Sequence, residues 1–116
     1  MRVIICGGRD FTGSSNWEQR VRNALYQLGD VDEVVSGTCR GADKYGEHIA
    51  TLMDIPIKRF PAQWHLWGKS AGYQRNLQMG EYADAVIALP GGRGTQHMIN
   101  IAKDFGLEVI QLKETT

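Results

Sequence analysis

Three segments of the sequence combine glycines with a single arginine, a composition suited to anion binding. They read GGRD at 7–10, SGTCRGAD at 36–43 and PGGRGT at 90–95. Glycine lets backbone N–H groups approach a ligand closely, and arginine presents a planar fork of donors that matches phosphate oxygens. A helix that begins directly after such a segment adds partial positive charge at the same point. The three segments therefore predict a cradle for a phosphate-bearing ligand.

The elements that must position these segments alternate between short apolar strands and amphipathic helices. Strands are predicted at Val3–Cys6, Glu33–Val35, Ile57–Phe60, Ala85–Leu89 and Glu108–Leu112. Because helical segments separate the strands, we expect right-handed crossovers and a parallel sheet covered on both faces. The predicted fold class is α/β: a three-layer, Rossmann-like, doubly wound domain with a mainly parallel five-stranded sheet. At 116 residues, the chain has room for one such domain over 1–116.

Four helices are predicted between the strands. Ser15 and Glu18 form a capping box at the start of the first helix, which is expected to end at Gly29. The other helices are indicated by apolar faces within 45–53, 70–82 and 98–105.

An aromatic segment at 61–69 lies between the third strand and the third helix. It carries Trp64, His65 and Trp67, and it is expected to form an ordered loop. Its rings could stack on a nucleobase or close a lid, but packing in the core or in a subunit interface is the commoner use of large aromatic side chains. We therefore expect a homo-oligomer that uses this apolar area.

The carboxyl ends of the first, second and fourth strands lead into the three glycine segments. In doubly wound sheets the ligand lies outside these ends, where the strand order reverses. We therefore expect Arg9, Arg40 and Arg93 to face one positively polarised hollow. A tight strand-to-helix turn would explain the glycines of one segment, but three such segments at one edge favour binding. Phe11, beside the first segment, is the candidate for stacking on a base.

Substitutions in these segments are expected to separate binding from folding. Arg40→Ala or Arg93→Ala should weaken ligand binding with little loss of stability. Gly92→Val should fail more broadly, because a β-branched residue tolerates neither a positive φ nor the close approach of a ligand.

Charge and composition limit the other classes of partner. Lys and Arg number 13, as do Asp and Glu, so no global positive field exists to hold nucleic acid, and such binding is disfavoured. No apolar run is long enough to cross a membrane, and the amino terminus enters a strand without a signal-peptide core. We therefore expect a cytoplasmic protein without a membrane partner. Cys6 and Cys39 lack the spacing of a metal or redox pair, and we predict no metal and no resident cofactor.

With these motifs the chain resembles the SLOG superfamily, the Rossmann-like group that contains the DprA-type and LOG-type proteins. Within that group, it is most similar to the branch of small stand-alone proteins related to YspA and YpsA. The matching stretches cover most of the chain, at 3–11, 34–46, 55–64, 72–79 and 82–95. The resemblance implies a Rossmann-like sheet whose glycine-rich loops bind a nucleotide or a nucleotide-derived ligand, including one derived from NAD.

The resemblance also implies ligand contacts position by position. In the glycine segments these are Gly7, Gly8, Arg9, Ser36, Gly37, Arg40, Gly41, Asp43, Gly91, Gly92, Gly94 and Thr95. Arg75 and Asn76 stand in the place of a basic–polar pair that precedes the fourth strand. Arg93 and Phe11 complete the set through their residue types and positions.

One departure from the family pattern concerns catalysis. LOG-type members that release a base from a nucleoside 5′-monophosphate resemble PGGxGTxxE, whose glutamate serves catalysis, and here Met98 stands at that position. A nucleotide-binding or sensor module is therefore the leading hypothesis.

The alternatives are hydrolysis of an N-glycosidic bond, with Asp10 or Asp43 as acid or base, and binding of single-stranded DNA. Glu81 and Asp84 could replace the glutamate, but a solvated helix end explains both more simply. An aspartate beside arginines is expected to stay ionised, which suits charge stabilisation better than proton donation.

Overall fold

The computed structural model describes residues 1–14 and 16–114. Its strands are β1 (Arg2–Cys6), β2 (Glu33–Ser36), β3 (Ile57–Arg59), β4 (Ala85–Ala88) and β5 (Glu108–Gln111). Its helices are α1 (Trp17–Leu28), α2 (Ala42–Leu52), α3 (Trp64–Trp67), α4 (Ala71–Tyr82) and α5 (Arg93–Asp104), with a 3₁₀ turn at Gly68–Ser70. Within these residues, no helix has the length and hydropathy needed to cross a membrane.

The five strands are parallel and lie in one sheet in the order β3-β2-β1-β4-β5. Strand β1 is central, and its Val3 pairs with Val34 on one side and with Ala85 on the other. The chain winds outward from β1 to β3 and then crosses back to β4 and β5. The order therefore reverses between β1 and β4, where a doubly wound sheet opens a crevice at the carboxyl ends of its strands. The predicted α/β class with a five-stranded, Rossmann-like sheet is confirmed.

Helices cover both faces of the sheet, which gives three layers. Side chains of a strand alternate between faces, so Val3 and Ile5 pack towards α1 and α2, whereas Ile4 and Cys6 pack towards α4 and α5. These four side chains are at most 6% exposed. Burial of one aliphatic side chain contributes about 1.5–3 kcal/mol. Strand β1 therefore anchors both helical layers and holds the loop that follows it in a fixed place.

The expectation of a loop at 61–69 is wrong, because part of this segment is helical. The N–H groups of Leu66 and Trp67 both donate to the Gln63 carbonyl, at 3.0 and 2.9 Å, and close the single turn of α3. Trp64 and Trp67 are 58% and 42% exposed, so neither is a core residue. The physical reason is that a one-turn helix packed mainly against the 3₁₀ turn and α4 leaves its outer face uncovered. The homo-oligomer that would use this face stays a prediction.

The ends of several elements also differ slightly from the expected ones. Helix α5 begins at Arg93, so the last part of the 90–95 segment is helical. Strands β3, β4 and β5 each end one residue early, although the N–H groups of the next residues, Phe60, Leu89 and Leu112, still donate to the neighbouring strands at 2.8 Å. Helix α1 begins at Trp17, and the capping box predicted at Ser15 lies outside the described residues.

Candidate functional site

The loops after β1, β2 and β4 meet at Gly8. Its N–H donates to the Pro90 carbonyl at 2.8 Å, and its carbonyl accepts from the N–H of Ala42, the first residue of α2, at 3.0 Å. The three glycine segments are therefore joined to one another by backbone hydrogen bonds at the carboxyl edge of the sheet. This junction forms where the strand order reverses, as expected for a ligand site in a doubly wound sheet.

Glycine is required at several positions because the loops approach each other so closely, and Gly41 and Gly91 are examples. A Cβ on Gly41, whose φ is +78°, would collide with the carbonyl oxygens of Gly8 and Arg9. A Cβ on Gly91 would collide with the Thr95 side chain and lie 2.6 Å from Gly8 N. These two glycines therefore serve the junction itself.

Gly92 does not have the structural role expected of it. Its φ is −106°, and a Cβ added there would meet no atom within 4 Å. Gly92→Val was expected to fail for two reasons, a positive φ and the close approach of a ligand; the first is wrong because φ is negative, and the second stays a prediction. Gly92 and its neighbour Gly94 instead face a cavity.

This cavity has a volume of about 340 Å³ and lies beside the junction. Its wall is formed by the end of β1 and the loop after it, by the loop before α2 and the first turn of that helix, by α4, and by the start of α5 with the residue before it: Cys6, Gly7, Gly8, Arg9, Cys39, Asp43, Arg75, Asn76, Met79, Gly92, Gly94, Thr95 and Met98. The volume is at the lower end of the range for small-molecule sites. The three glycine segments thus converge on one hollow, which we call the switch-point cavity.

The basic wall of the switch-point cavity is held by a chain of side-chain hydrogen bonds. Arg75 donates from Nη1 to the Gly37 carbonyl and from Nε to Asn76 Oδ1, the latter at 3.0 Å. Both terminal nitrogens of Arg75 lie 3.8 Å from Cys39 Sγ. Asn76, which is only 7% exposed, places its Nδ2 3.0 Å from His97 Nδ1. The guanidinium is therefore fixed in direction before any ligand binds.

Only one of the three loop arginines belongs to this wall. Arg9 lines the cavity, whereas Arg40 and Arg93 do not. Arg40 is 3.6 Å from Asp10 in an ion pair whose side chains are 76% and 99% exposed. Arg93 is exposed at the first position of α5. Since Arg75 supplies the second cation from α4, the hollow contains two arginines but not the three that the loops predict.

Comparison with known proteins finds a relative of nearly equal extent. The Gene 61 protein of Mycobacterium phage D29 is 32% identical over 117 aligned residues, which cover 94% of each chain. The chain belongs to the family of this phage protein. No protein-family profile and no solved structure matches the chain significantly. The relative's name states no activity, so the function must be argued from the geometry of the site.

Asp43 is the buried acid of the switch-point cavity. It lies in the first turn of α2, is 8% exposed, and accepts the Cys39 N–H at 3.0 Å through Oδ2. Burial raises the pKa of Asp43, against the opposing effects of the Cys39 N–H and the Arg75 charge. We expected neighbouring arginines to dominate the pKa of such an aspartate, but its loss of contact with water is the larger effect.

Other residues expected at the site have different roles in the structure. Ser36 is 1% exposed, donates to Glu47 Oε2 at 2.6 Å and accepts the Thr38 N–H. These two hydrogen bonds hold the loop after β2 in place. Asp10 lies outside the cavity wall in the exposed pair with Arg40. Neither residue lines the switch-point cavity.

Phe11 also lies away from the cavity wall. Its ring packs edge-on against Trp17 at 5.1 Å and against Tyr45 at 5.2 Å between centroids. Gly13, whose φ is +68°, lies so close to the Tyr45 ring that it has no room for a Cβ. The expected stacking on a base is therefore replaced by an aromatic cluster that fastens the loop after β1 to α1 and α2.

In the part of the chain that the structure describes, no carboxylate takes the place of the glutamate missing from the PGGRGT helix. Met98 is 1% exposed and lines the cavity at that position. Asp84 accepts the backbone N–H of Arg2 at 2.7 Å, at the opposite edge of the sheet. Glu81 is exposed near the end of α4, towards that same edge. Among residues 1–14 and 16–114, Asp43 is the only carboxylate in the wall of the switch-point cavity.

Four sulfur-bearing residues that were not predicted at the site line the cavity: Cys6, Cys39, Met79 and Met98. Burial and the nearby Asp43 charge raise the pKa of Cys6 to about 12, so its thiol stays protonated and packs as an apolar group. The position of Cys6 at the end of the central strand is a signal that could have placed it in the wall. Nothing comparable in the sequence marks Met79, because its role depends on how α4 crosses the sheet.

Proposed function

We propose that the protein is a SLOG-type binding or sensor module that takes a small phosphate-bearing nucleotide, or a nucleotide-derived ligand, in the switch-point cavity. The observation that carries this proposal is the convergence of three glycine segments on one cavity whose wall contains Arg9 and Arg75. Glycine loops that served only as turns would not need a shared concavity with two cations in it.

The phosphate fits the side of the cavity formed by the start of α5. This helix of 12 residues has no side-chain cap, and Gly94 and Thr95 of its first turn line the cavity. The first N–H groups of a helix have no partner within the helix, and they favour an anion. Arg9 adds a full charge from the loop after β1. Each charge-assisted hydrogen bond contributes about 1.5–3 kcal/mol, so four or five are compatible with micromolar binding after association costs.

The remainder of the ligand meets a different surface. Asp43 offers a carboxylate oxygen suited to a ribose hydroxyl, and Met79 and Met98 offer an apolar surface suited to a sugar or base. A volume of about 340 Å³ favours a mononucleotide over a dinucleotide. We therefore expect nucleoside monophosphates to bind more tightly than NAD or other dinucleotides.

Calorimetry with AMP, CMP, GMP, cyclic nucleotides and ADP-ribose tests this proposal. Arg9→Ala should weaken binding about tenfold or more, since it removes a charged contact worth at least 1.5 kcal/mol. Arg40→Ala is the matched control, because Arg40 is an exposed arginine outside the cavity wall. Gly92→Val should reduce binding while the melting temperature stays that of the wild type. A flat response of the folded protein to the whole panel would refute the proposal.

A second candidate is hydrolysis of an N-glycosidic bond, and the buried Asp43 favours it. A carboxyl with a raised pKa can give its proton to the departing base as the C–N bond breaks, while water adds to the anomeric carbon and its proton returns to the carboxylate. Chromatography of AMP, CMP, GMP and NAD after long incubation would detect the free base, and Asp43→Asn should abolish its release. Absence of any free base at high protein concentration would leave binding alone.

A further inference from the structure

A pair of stacked rings lies behind the basic wall of the switch-point cavity. The rings of Tyr73 on α4 and His97 on α5 stack with centroids 4.4 Å apart and an angle of 27° between their planes. His97 Nδ1 lies 3.0 Å from Asn76 Nδ2, and Asn76 lines the cavity although His97 does not. His97 therefore contacts the binding wall from outside.

The hydrogen bonds of Asn76 determine which ring nitrogen of His97 carries the proton. Asn76 uses Oδ1 to accept from Arg75 Nε, so the group that it turns towards His97 is its NH₂ donor. His97 Nδ1 must then be the acceptor, and the neutral ring carries its hydrogen on Nε2. Within the described residues, that Nε2 is buried and has no hydrogen-bond partner. The neutral ring therefore has a buried Nε2–H without an acceptor and keeps the hydrogen bond between Nδ1 and Asn76.

We infer that His97 is a positioning residue of the binding site: through Nδ1 it fixes the Asn76 amide, which in turn holds the Arg75 guanidinium against the Gly37 carbonyl. This inference rests on the proposed function, since positioning matters only if Arg75 contacts a ligand. Asn76 is almost fully buried, so water cannot readily take over the role of the histidine.

Protonation of His97 would reverse the polarity of this contact. The imidazolium donates from both nitrogens, so Nδ1 would face the Asn76 NH₂ group as a second donor, and the amide would have to turn. The groups around the ring are Tyr73 and Asn76 on α4, with Arg75 behind them, and on α5 the cationic Arg93 lies one turn earlier. Burial lowers the pKa of His97, so the neutral ring persists somewhat below the ordinary imidazole range.

The first arm of the test uses nitrogen NMR of the ligand-free protein. We expect the Nε2–H tautomer of His97 and a slowly exchanging Arg75 Nε–H, with that protection lost in His97→Leu. His97→Asn places an amide oxygen near the Nδ1 position and should restore the protection. An Nδ1–H tautomer, or an Arg75 signal unchanged in His97→Leu, would overturn the inference.

The second arm measures AMP affinity between pH 5 and pH 8. His97→Leu should bind about tenfold more weakly than the wild type at pH 7, and His97→Asn should stay within about twofold. Wild-type affinity should fall at the acid end, whereas that of His97→Asn, which cannot titrate, should not. Equal affinities and pH profiles in the three proteins would also overturn the inference. If no nucleotide binds to the wild type, the proposed function fails, and the NMR arm still decides whether His97 holds Arg75.

Discussion

Helix α2 carries two carboxylates, Asp43 and Glu47, that are equally exposed but have different hydrogen-bond partners. They lie one turn apart, face the same sheet edge and are each 8% exposed. Glu47 accepts from Ser36 Oγ at 2.6 Å and from Arg59 at 3.1 Å, with Lys44 at 3.8 Å. Asp43 interacts with Cys39, whose backbone N–H it accepts at 3.0 Å and whose thiol is also directed at it. The protein therefore satisfies one carboxylate with its own side chains and leaves the other facing a cavity.

The pKa values of the two groups follow this difference. Burial raises the pKa of both, but for Glu47 the hydrogen bonds from Ser36 and Arg59 and the charges of Arg59 and Lys44 outweigh it, and the net pKa is lowered. For Asp43 the effect of burial is larger than that of the hydrogen bonds and the Arg75 charge, and the pKa is raised. A carboxylate whose charge is balanced by hydrogen-bond donors and cations of the protein is a structural residue. A carboxylate in a cavity wall that lacks such partners is suited to accept a hydrogen bond from a ligand.

The largest expected effect is on stability. Glu47→Gln should lower the free energy of unfolding by about 1.5–3 kcal/mol, because it removes charge-assisted hydrogen bonds to a buried hydroxyl and to Arg59. The isosteric Asp43→Asn should leave it unchanged or slightly higher, since Asp43 carries an uncompensated desolvation cost. Urea denaturation at pH 7 measures both. Equal losses in the two variants would show that the carboxylates have the same role.

The second prediction concerns ligand binding, for which the Asp43 variant should have a larger effect than the Glu47 variant. Asp43→Asn should weaken AMP binding about tenfold, which corresponds to the loss of one charged hydrogen bond of about 1.5 kcal/mol. Glu47→Gln, if folded, should stay within about twofold of the wild type. Calorimetry at a temperature well below both melting transitions makes the comparison. An affinity that depends on Glu47 but not on Asp43 would place the ligand at the β2–β3 edge.

The pH dependence of stability should also have opposite signs for the two groups. The stabilising contribution of Glu47, whose pKa is lowered on folding, is present above its unfolded value of 4.5 and is lost as the pH falls through the folded value. For Asp43, whose pKa is raised, the contribution is present below 3.8 and is lost as the pH rises through the folded value. Urea titrations of wild type, Glu47→Gln and Asp43→Asn between pH 3.5 and pH 7 should show the two trends. Parallel curves would contradict them.

The smallest effect concerns the outer cation of the Glu47 network. The Lys44 ammonium is 3.8 Å from Glu47 and its side chain is 57% exposed, so Lys44→Met should change the free energy of unfolding by less than about 1 kcal/mol. It should leave AMP affinity unchanged. A larger loss in urea denaturation would show that Lys44 rather than Ser36 and Arg59 holds Glu47 in place.

Much of the fold could be predicted because local patterns and topology rules agree. Apolar runs such as Val3–Cys6 predict buried strands. Because helical segments separate these strands, the chain can cross over between them, and this predicts a parallel sheet. The helix at 64–67 was missed because a single turn has no period to detect. The surroundings of Arg75 were missed for a different reason, since its contacts with Gly37 and Cys39 join residues almost forty positions apart.

Local patterns along the chain are enough to predict the alternation of strands and helices and the three glycine segments at strand ends, because both depend on neighbouring residues. Which polar groups share the cavity depends instead on how the elements pack. Arg40 is held by Asp10 at the surface, Phe11 is enclosed by Trp17 and Tyr45, and Arg75 enters from a helix that no glycine motif marks. The physical reason is that the direction of a long side chain is set by its packing partners, and these are distant in sequence.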